Sequence, residues 1–159
     1  MSDTTHSAHP KPPLTTDTEL EQFLGGLLPP ASERRFWMLY LERDHRLSDL
    51  LLPMDEQPAE PDDVCDAKDL GRVSFAQLLV DRAGSICGMI GGASAIFVWE
   101  RPGSAAASPR DRRWVHAIEQ EAARQGVSLR AQFLLHDAGL RVISGGDVRA
   151  RADQAPAPR

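Results

Sequence analysis

The run Ala93-Ser94-Ala95-Ile96-Phe97-Val98-Trp99 carries no charge and reads as a β-strand buried on both faces. It commits the chain to a fold with a sheet at its centre. A second run of strand length, Arg35-Phe36-Trp37-Met38-Leu39-Tyr40-Leu41-Glu42, is equally bulky and aromatic. Arg43-Asp44-His45-Arg46 reads as the turn that follows, and residues 47–52 as an antiparallel partner that ends at Pro53.

Two helices are written around the central strand. Phe75, Leu79, Ala83 and Ile86 fall at helical spacing and predict a core-facing helix over residues 73–87, capped by Ser74 and with Ala76, Val80 and Cys87 on its adjoining edge. Trp114, Ile118 and Ala122, joined by Val115, make the stripe of the second, with Ser108 as cap, Pro109 in the first turn and Gly126 as stop. Residues 129–135 predict a further strand, His136-Asp137-Ala138-Gly139 a tight turn and residues 140–144 the hairpin return. The order is that of an α/β (α+β) fold in which two helices pack on a central mixed sheet.

The remaining segments lack apolar periodicity. Residues 1–16 and 147–159 are rich in Pro with polar or small residues and are expected to be disordered tails. Thr16 or Asp17 caps a short helix through Leu24, which Gly25, Gly26, Pro29 and Pro30 stop, so residues 17–30 read as a short helix and linker ahead of a domain at 35–146. Within that domain residues 54–68 form an acidic loop, expected to be mobile and to offer a docking site for a basic surface. It holds Asp55, Glu56, Glu60, Asp62, Asp63 and Asp66 with no arginine among them. The alternation and central glycine of a calcium loop are missing from it.

A net charge of −5 gives no field to attract a polyphosphate or an anionic membrane, so nucleic acid is disfavoured as a partner. The longest apolar stretches are far shorter than a membrane span. Cys65 and Cys87 are too few for a disulfide framework, which points to reduced thiols and a cytoplasmic protein. Arginine far outnumbers the two lysines, Lys11 and Lys68, and Ala and Pro are abundant, as in proteins from GC-rich bacterial genomes.

Between the buried strand and the second helix the chain reads Trp99-Glu100-Arg101-Pro102-Gly103-Ser104, then Ala105-Ala106-Ala107, then Ser108-Pro109-Arg110-Asp111. At this place RadC-like domains of the JAB/MPN metallohydrolase superfamily carry His-x-His-Pro-Ser-Gly and then Ser-x-x-Asp at a helix start. The chain resembles them over about residues 35–144: in the order of elements, in the turn Asp44-His45-Arg46-Leu47, and in Gly126-Val127-Ser128-Leu129 ahead of the closing hairpin. The resemblance implies a JAB/MPN (cytidine deaminase-like) fold. In that family two imidazoles and an aspartate hold zinc, and a glutamate from the opening strands takes a proton from the metal-bound water.

Carried onto this sequence, the imidazole positions are Trp99 and Arg101. Neither is a metal ligand, because an indole only donates and a guanidinium is permanently charged. Asp111 falls on the aspartate position if the loop is one residue short; strict counting puts Arg112 there. The glutamate position falls within Leu50-Leu51-Leu52. The resemblance therefore implies former metal-site positions at Trp99, Arg101 and Asp111, with no catalytic residue, metal or cofactor. It leaves a protein-binding or scaffold domain with a protein partner or a second copy as ligand, and Trp99, Glu100, Arg101, Arg110 and Arg112 as the binding surface. Trp37, Trp99 and Trp114 have the spacing of core residues, but Trp99 ends its strand at this mouth, where an exposed indole would be an anchor. Arg101 and Asp111 either face each other in the cation's place or both point into solvent.

Two other functions compete with this one: a hydrolase with a relocated or non-zinc site, and a DNA-repair-associated RadC-like accessory protein, which the acidic balance opposes. His6, His9, His45, His116 and His136 read as scattered surface residues, with His116 and His136 the one combination worth testing for metal. Cys87 reads as a small core residue, and Gly84, Gly88, Gly91 and Gly92 as turn and packing glycines.

Overall fold

The structure, a computed structural model, describes residues 11–144. In chain order the elements are α1 (Asp17–Leu27), β1 (Arg35–Leu41), β2 (Leu47–Met54), β3 (Val64–Ala67), β4 (Gly71–Ser74), α2 (Phe75–Met89), β5 (Ser94–Glu100), α3 (Pro109–Gln125), β6 (Leu129–His136) and β7 (Gly139–Ile143). The fold is mixed α/β. Its main sheet has the order β2-β1-β5-β6-β7, and β3 pairs with β4 as a separate ribbon. β1 runs antiparallel to β2 and β5, β6 antiparallel to β7, and β5 parallel to β6. A parallel pair needs a crossover, and α3 supplies it.

Strand alternation divides the core into two layers. Phe36, Met38, Tyr40, Phe97, Trp99 and Leu134 face α2 and α3, where Leu79, Val80, Ala83, Trp114, Val115 and Ile118 meet them. Trp37, Leu39, Leu41, Ile96, Val98, Phe133 and Leu135 face the opposite way, onto Leu14, Leu20, Leu24 and Leu28. This second layer corrects the expectation of two helices on the sheet. Residues 17–30 are not a linker: α1 covers the other face, and a strand as apolar as β5 requires that cover.

The start of the chain is likewise more engaged than its composition suggests. Leu14 is 3 % exposed, and its N–H donates to the His45 carbonyl at 2.8 Å. Lys11 donates to the Leu47 carbonyl at 3.1 Å, and Arg46 donates to the Lys11 carbonyl. The tail expected through residue 16 thus gives way to packed chain from residue 11. Residues 1–10 and the tail expected at 147–159 lie outside the described residues. One leucine is too little for a periodicity signal, which is why the sequence reading missed it.

The acidic segment 54–68 is also corrected. The Trp114 indole donates to the Pro58 carbonyl at 2.8 Å, the Phe75 N–H to Asp63 at 2.9 Å and the Ala76 N–H to Pro61 at 3.2 Å. Val64 to Ala67 pair with Ser74 to Gly71. Three of the six carboxylates meet arginines from elsewhere in the chain: Arg113 lies 3.0 Å from Glu60, Arg72 lies 3.7 Å from Asp66, and Arg34 and Arg110 approach Glu56. The segment is tied to the domain and is not a free loop.

Helix ends follow their local signals. Ser74 with Gln77 and Ser108 with Asp111 form capping boxes, and Gly126 closes α3 in the left-handed conformation at φ 73°. In α1 the helix runs through Gly25 and Gly26 to Leu27, so Pro29 and Pro30 mark its end better than the glycines do. No helix among the described residues is long and apolar enough to cross a membrane.

Leu14→Ala tests the docking of the chain's start. Its side chain fills the layer beneath α1, so the variant should lose about 2–3 kcal/mol in urea unfolding. An unchanged midpoint would mean that this segment does not pack on the sheet.

Candidate functional site

β5 ends in Trp99-Glu100, and Arg101 opens the loop that leads to α3. Alternation sends Trp99 toward the helix pair and Glu100 to the opposite face. The Trp99 ring packs against Phe36 at 4.4 Å and Trp114 at 5.2 Å between centroids. Its Nε1 donates to Gln132 Oε1 at 2.8 Å, and the Gln132 amide donates in turn to the Val115 carbonyl at 3.0 Å. Trp99 is therefore buried and satisfied, which overturns its reading as an exposed anchor. The registry of β5 against β6 pairs Trp99 with Leu134 and Phe97 with Gln132, so Gln132 is a diagonal neighbour on the same face, 33 positions from Trp99 in the chain, that the local sequence does not name.

Glu100 is 1 % exposed and is a structural hub. Its Oε1 accepts from Trp37 Nε1 at 3.0 Å and its Oε2 from the Ser32 N–H at 2.8 Å, with Arg35 Nε 3.0 Å from Oε1. These contacts pin the approach to β1 against the end of β5.

Arg101 is buried among polar groups of its own loop. Its Nε and Nη2 donate to Asp111 Oδ2 at 3.2 and 2.8 Å, Nη2 donates to the Ala106 carbonyl at 2.8 Å and Nη1 to the Ser104 carbonyl at 2.6 Å. The loop wraps around a cation, as the expectation that Arg101 faces Asp111 requires. Gly103 makes the wrap possible: it holds φ 118°, and a Cβ there would stand 3.2 Å from Arg101 Nη1.

Asp111 serves two partners with one oxygen. Oδ2 also accepts the Ser108 N–H at 2.8 Å, as the third-position residue of the α3 capping box. Burial alone would raise its pKa, but hydrogen bonds from Arg101 and Ser108 and the Arg101 charge hold it below the usual carboxylate range. It is thus anionic at neutral pH.

The surface expected from Trp99, Glu100, Arg101, Arg110 and Arg112 is corrected in kind. The first three are buried, while Arg112 donates to the Ala107 carbonyl at 2.9 Å and Arg110 to the Gln57 carbonyl. Most of the polar capacity read as outward-facing closes the domain on itself. His136, read as a surface turn residue, is also buried, at the end of β6, with Nδ1 accepting the Ala138 N–H at 3.2 Å. Burial, and then the charges of Arg101 and Arg141, push its pKa down. His116 is exposed on α3. Cys87 packs at the edge of the helix-side core, and burial pushes its thiol up, away from nucleophile activation.

These residues do not fit a zinc ion of the family's kind. Trp99 uses its nitrogen as a donor to Gln132, Arg101 carries a permanent positive charge, and Leu50 and Leu52 pack into the helix-side core. Among the described residues no three His, Cys, Asp or Glu side chains group to hold a metal. Compared with protein-family models and with curated proteins, the chain matches none. Fold and site together define a mixed α/β domain whose central loop is organised by a buried guanidinium.

Two outcomes follow from this geometry. Arg101→Ala should cost roughly 3–5 kcal/mol in chemical unfolding, because it strands a buried carboxylate and several loop carbonyls. Arg101→Lys should recover part of that, since an ammonium restores charge but not the planar fork. His136 gives a pH dependence: with its folded pKa below the ordinary 6.5, the unfolded chain binds the proton first. Stability should therefore be full above about pH 6.5 and fall as the pH drops toward the lowered folded value. Melting curves from pH 8 to 5 should show that slope, and His136→Gln should flatten it.

Proposed function

We propose that this chain is a catalytically inactive JAB/MPN-like domain of the RadC-like kind, acting in the cytoplasm as a protein-binding or scaffold module. The observation that carries this reading is the buried pair at the end of β5, with Arg101 Nη2 2.8 Å from Asp111 Oδ2. By the resemblance, one residue stands where a zinc-ligating imidazole would be and the other on the aspartate position of the shorter alignment. A guanidinium supplies the positive charge that a buried aspartate needs, and directed hydrogen bonds that tie the loop. It supplies no open coordination position and activates no water.

Two further features support the fold and the compartment in this reading. The order strand, strand, helix, strand, helix, strand, strand around the main sheet is the one on which the resemblance rests. The thiols of Cys65 and Cys87 are unpaired, as suits a reducing compartment. A partner would be a protein or a second copy of this chain, consistent with the acidic net charge.

Metal titration tests the reading. With a buried arginine at the cation's place, equimolar zinc should leave the melting temperature unchanged, and metal analysis after dialysis should find no stoichiometric zinc. One zinc per chain, lost together with Asp111 in an Asp111→Asn variant, would overturn it.

A further inference from the structure

We propose that the arginine cluster where β1 begins and β5 ends is a carboxylate-binding cleft, which the Glu56 side chain occupies in cis and an acidic residue of a partner polypeptide takes over. The inference rests on the protein-binding reading above and gives the partner its chemistry.

Two cavities meet at this end of the sheet. The smaller, of about 20 Å³, has room for roughly one water and is lined by Arg34, Arg35, Arg101 and Arg110 with Trp99 and Glu100. A wider open groove, of about 490 Å³, shares Arg34 and Arg35 and is lined besides by Pro53, Met54 and the acidic residues Glu33, Asp55 and Glu56. An extended segment lying in the groove would carry a side chain to the mouth of the smaller cavity.

The guanidinium groups are unequally satisfied. Arg101 is engaged by Asp111 and by its own loop. Arg35 lies 2.5 Å from Glu33 and 3.0 Å from Glu100, yet its buried Nε–H is aligned with no acceptor. Arg34 and Arg110 share a single oxygen: Glu56 Oε2 is 3.9 Å from Arg34 Nε and 3.4 Å from Arg110 Nη2. Both separations exceed the roughly 2.7–2.9 Å of a formed charge-assisted hydrogen bond. Glu56 bridges two arginines and fully satisfies neither.

Its place in the chain makes it replaceable. The Glu56 side chain is 57 % exposed and stands two residues past the end of β2, so it can turn away without moving the core. With Glu56 withdrawn, the guanidinium groups of Arg34, Arg35, Arg101 and Arg110 are matched in number by the carboxylates of Glu33, Asp55, Glu100 and Asp111, but the ion pairs that Arg34 and Arg110 make with Glu56 are gone and Arg110 keeps the Gln57 carbonyl. A carboxylate on a freely oriented segment can approach those planar forks in the two-bond geometry that Glu56 does not reach. The occupant that already fits is a carboxylate, which favours an aspartate or glutamate side chain over a phosphate.

Fluorescence anisotropy of the full chain with a labelled, amidated peptide Gly-Ser-Glu-Glu-Ser-Gly tests this, beside its glutamine counterpart and the glutamine peptide with a free C-terminal carboxylate as its one acidic group. The glutamate peptide should bind and the glutamine peptide should not. Glu56→Gln should tighten binding about tenfold, the factor for a cleft nine-tenths filled by its own side chain. Arg34→Gln, at an exposed position that leaves the fold intact, should weaken it by a similar factor, as should Arg110→Gln. Equal binding of both amidated peptides, indifference to Arg34→Gln, no gain in Glu56→Gln, or no binding by any variant would overturn the cleft. Preference for the free C-terminus would move the ligand from a side chain to a chain end and overturn the side-chain assignment. Equal competition by inorganic phosphate would overturn the carboxylate assignment. Zinc is measured on the same samples: metal-free protein that binds no peptide defeats this inference alone, whereas stoichiometric zinc defeats the reading beneath it.

Discussion

The guanidinium of Arg101 holds the middle of this molecule together. It donates into Asp111 and into the carbonyls of Ser104 and Ala106, so one side chain sets the path of the connection from the sheet to α3. Asp111 then caps the helix through Ser108, and the helix carries Trp114 back over Trp99 and Phe36. A strand end, a loop and a helix start thereby depend on one buried ion pair. Such pairs are poor sources of net stability compared with apolar packing, but removing one partner is costly, and this asymmetry locks the arrangement.

Around that pair the domain uses arginine where other proteins use water or metal. Arg35 lies over the Trp37 ring at 5.5 Å and against Glu100, Arg112 satisfies the Ala107 carbonyl, and Arg113 and Arg110 draw the acidic segment onto α3. The long stem and planar head of arginine suit this work, since one side chain can cover apolar surface and still donate in several directions. The result is a polar seam between the end of the sheet and the segment after β2. The cleft lies where that seam is least well filled.

Much of the fold was legible in the residues. Capping boxes at Ser74 and Ser108, the stop at Gly126 and the hairpin at His136 to Gly139 are set by neighbours within a few positions. The site was legible in part. The meeting of Arg101 with Asp111 was suggested by the positions that the resemblance gives them, and Arg101 does meet Asp111. Trp99 and His136 were misplaced because their burial depends on Gln132 in one case and on the loop carbonyl of Gly103, which accepts from the Asp137 N–H, in the other. A glutamine in the middle of the apolar strand Leu129–His136 is the one local sign that a buried polar partner stood opposite.

By itself the sequence determined the strands of the main sheet, the helices and the alternation that gives each strand its two faces, because these follow from periodicity and caps over a few residues, while the short ribbon of β3 and β4 escaped it. It also determined that neither Trp99 nor Arg101 can ligate a metal, since residue identity needs no fold. Only the tertiary structure decided that α1 and Leu14 roof the second face of the sheet, that distant arginines answer the acidic segment, and that Glu100 lies inside. Those outcomes join residues tens of positions apart. Packing and charge pairing in three dimensions set them, and no local pattern encodes which distant partner a side chain will meet.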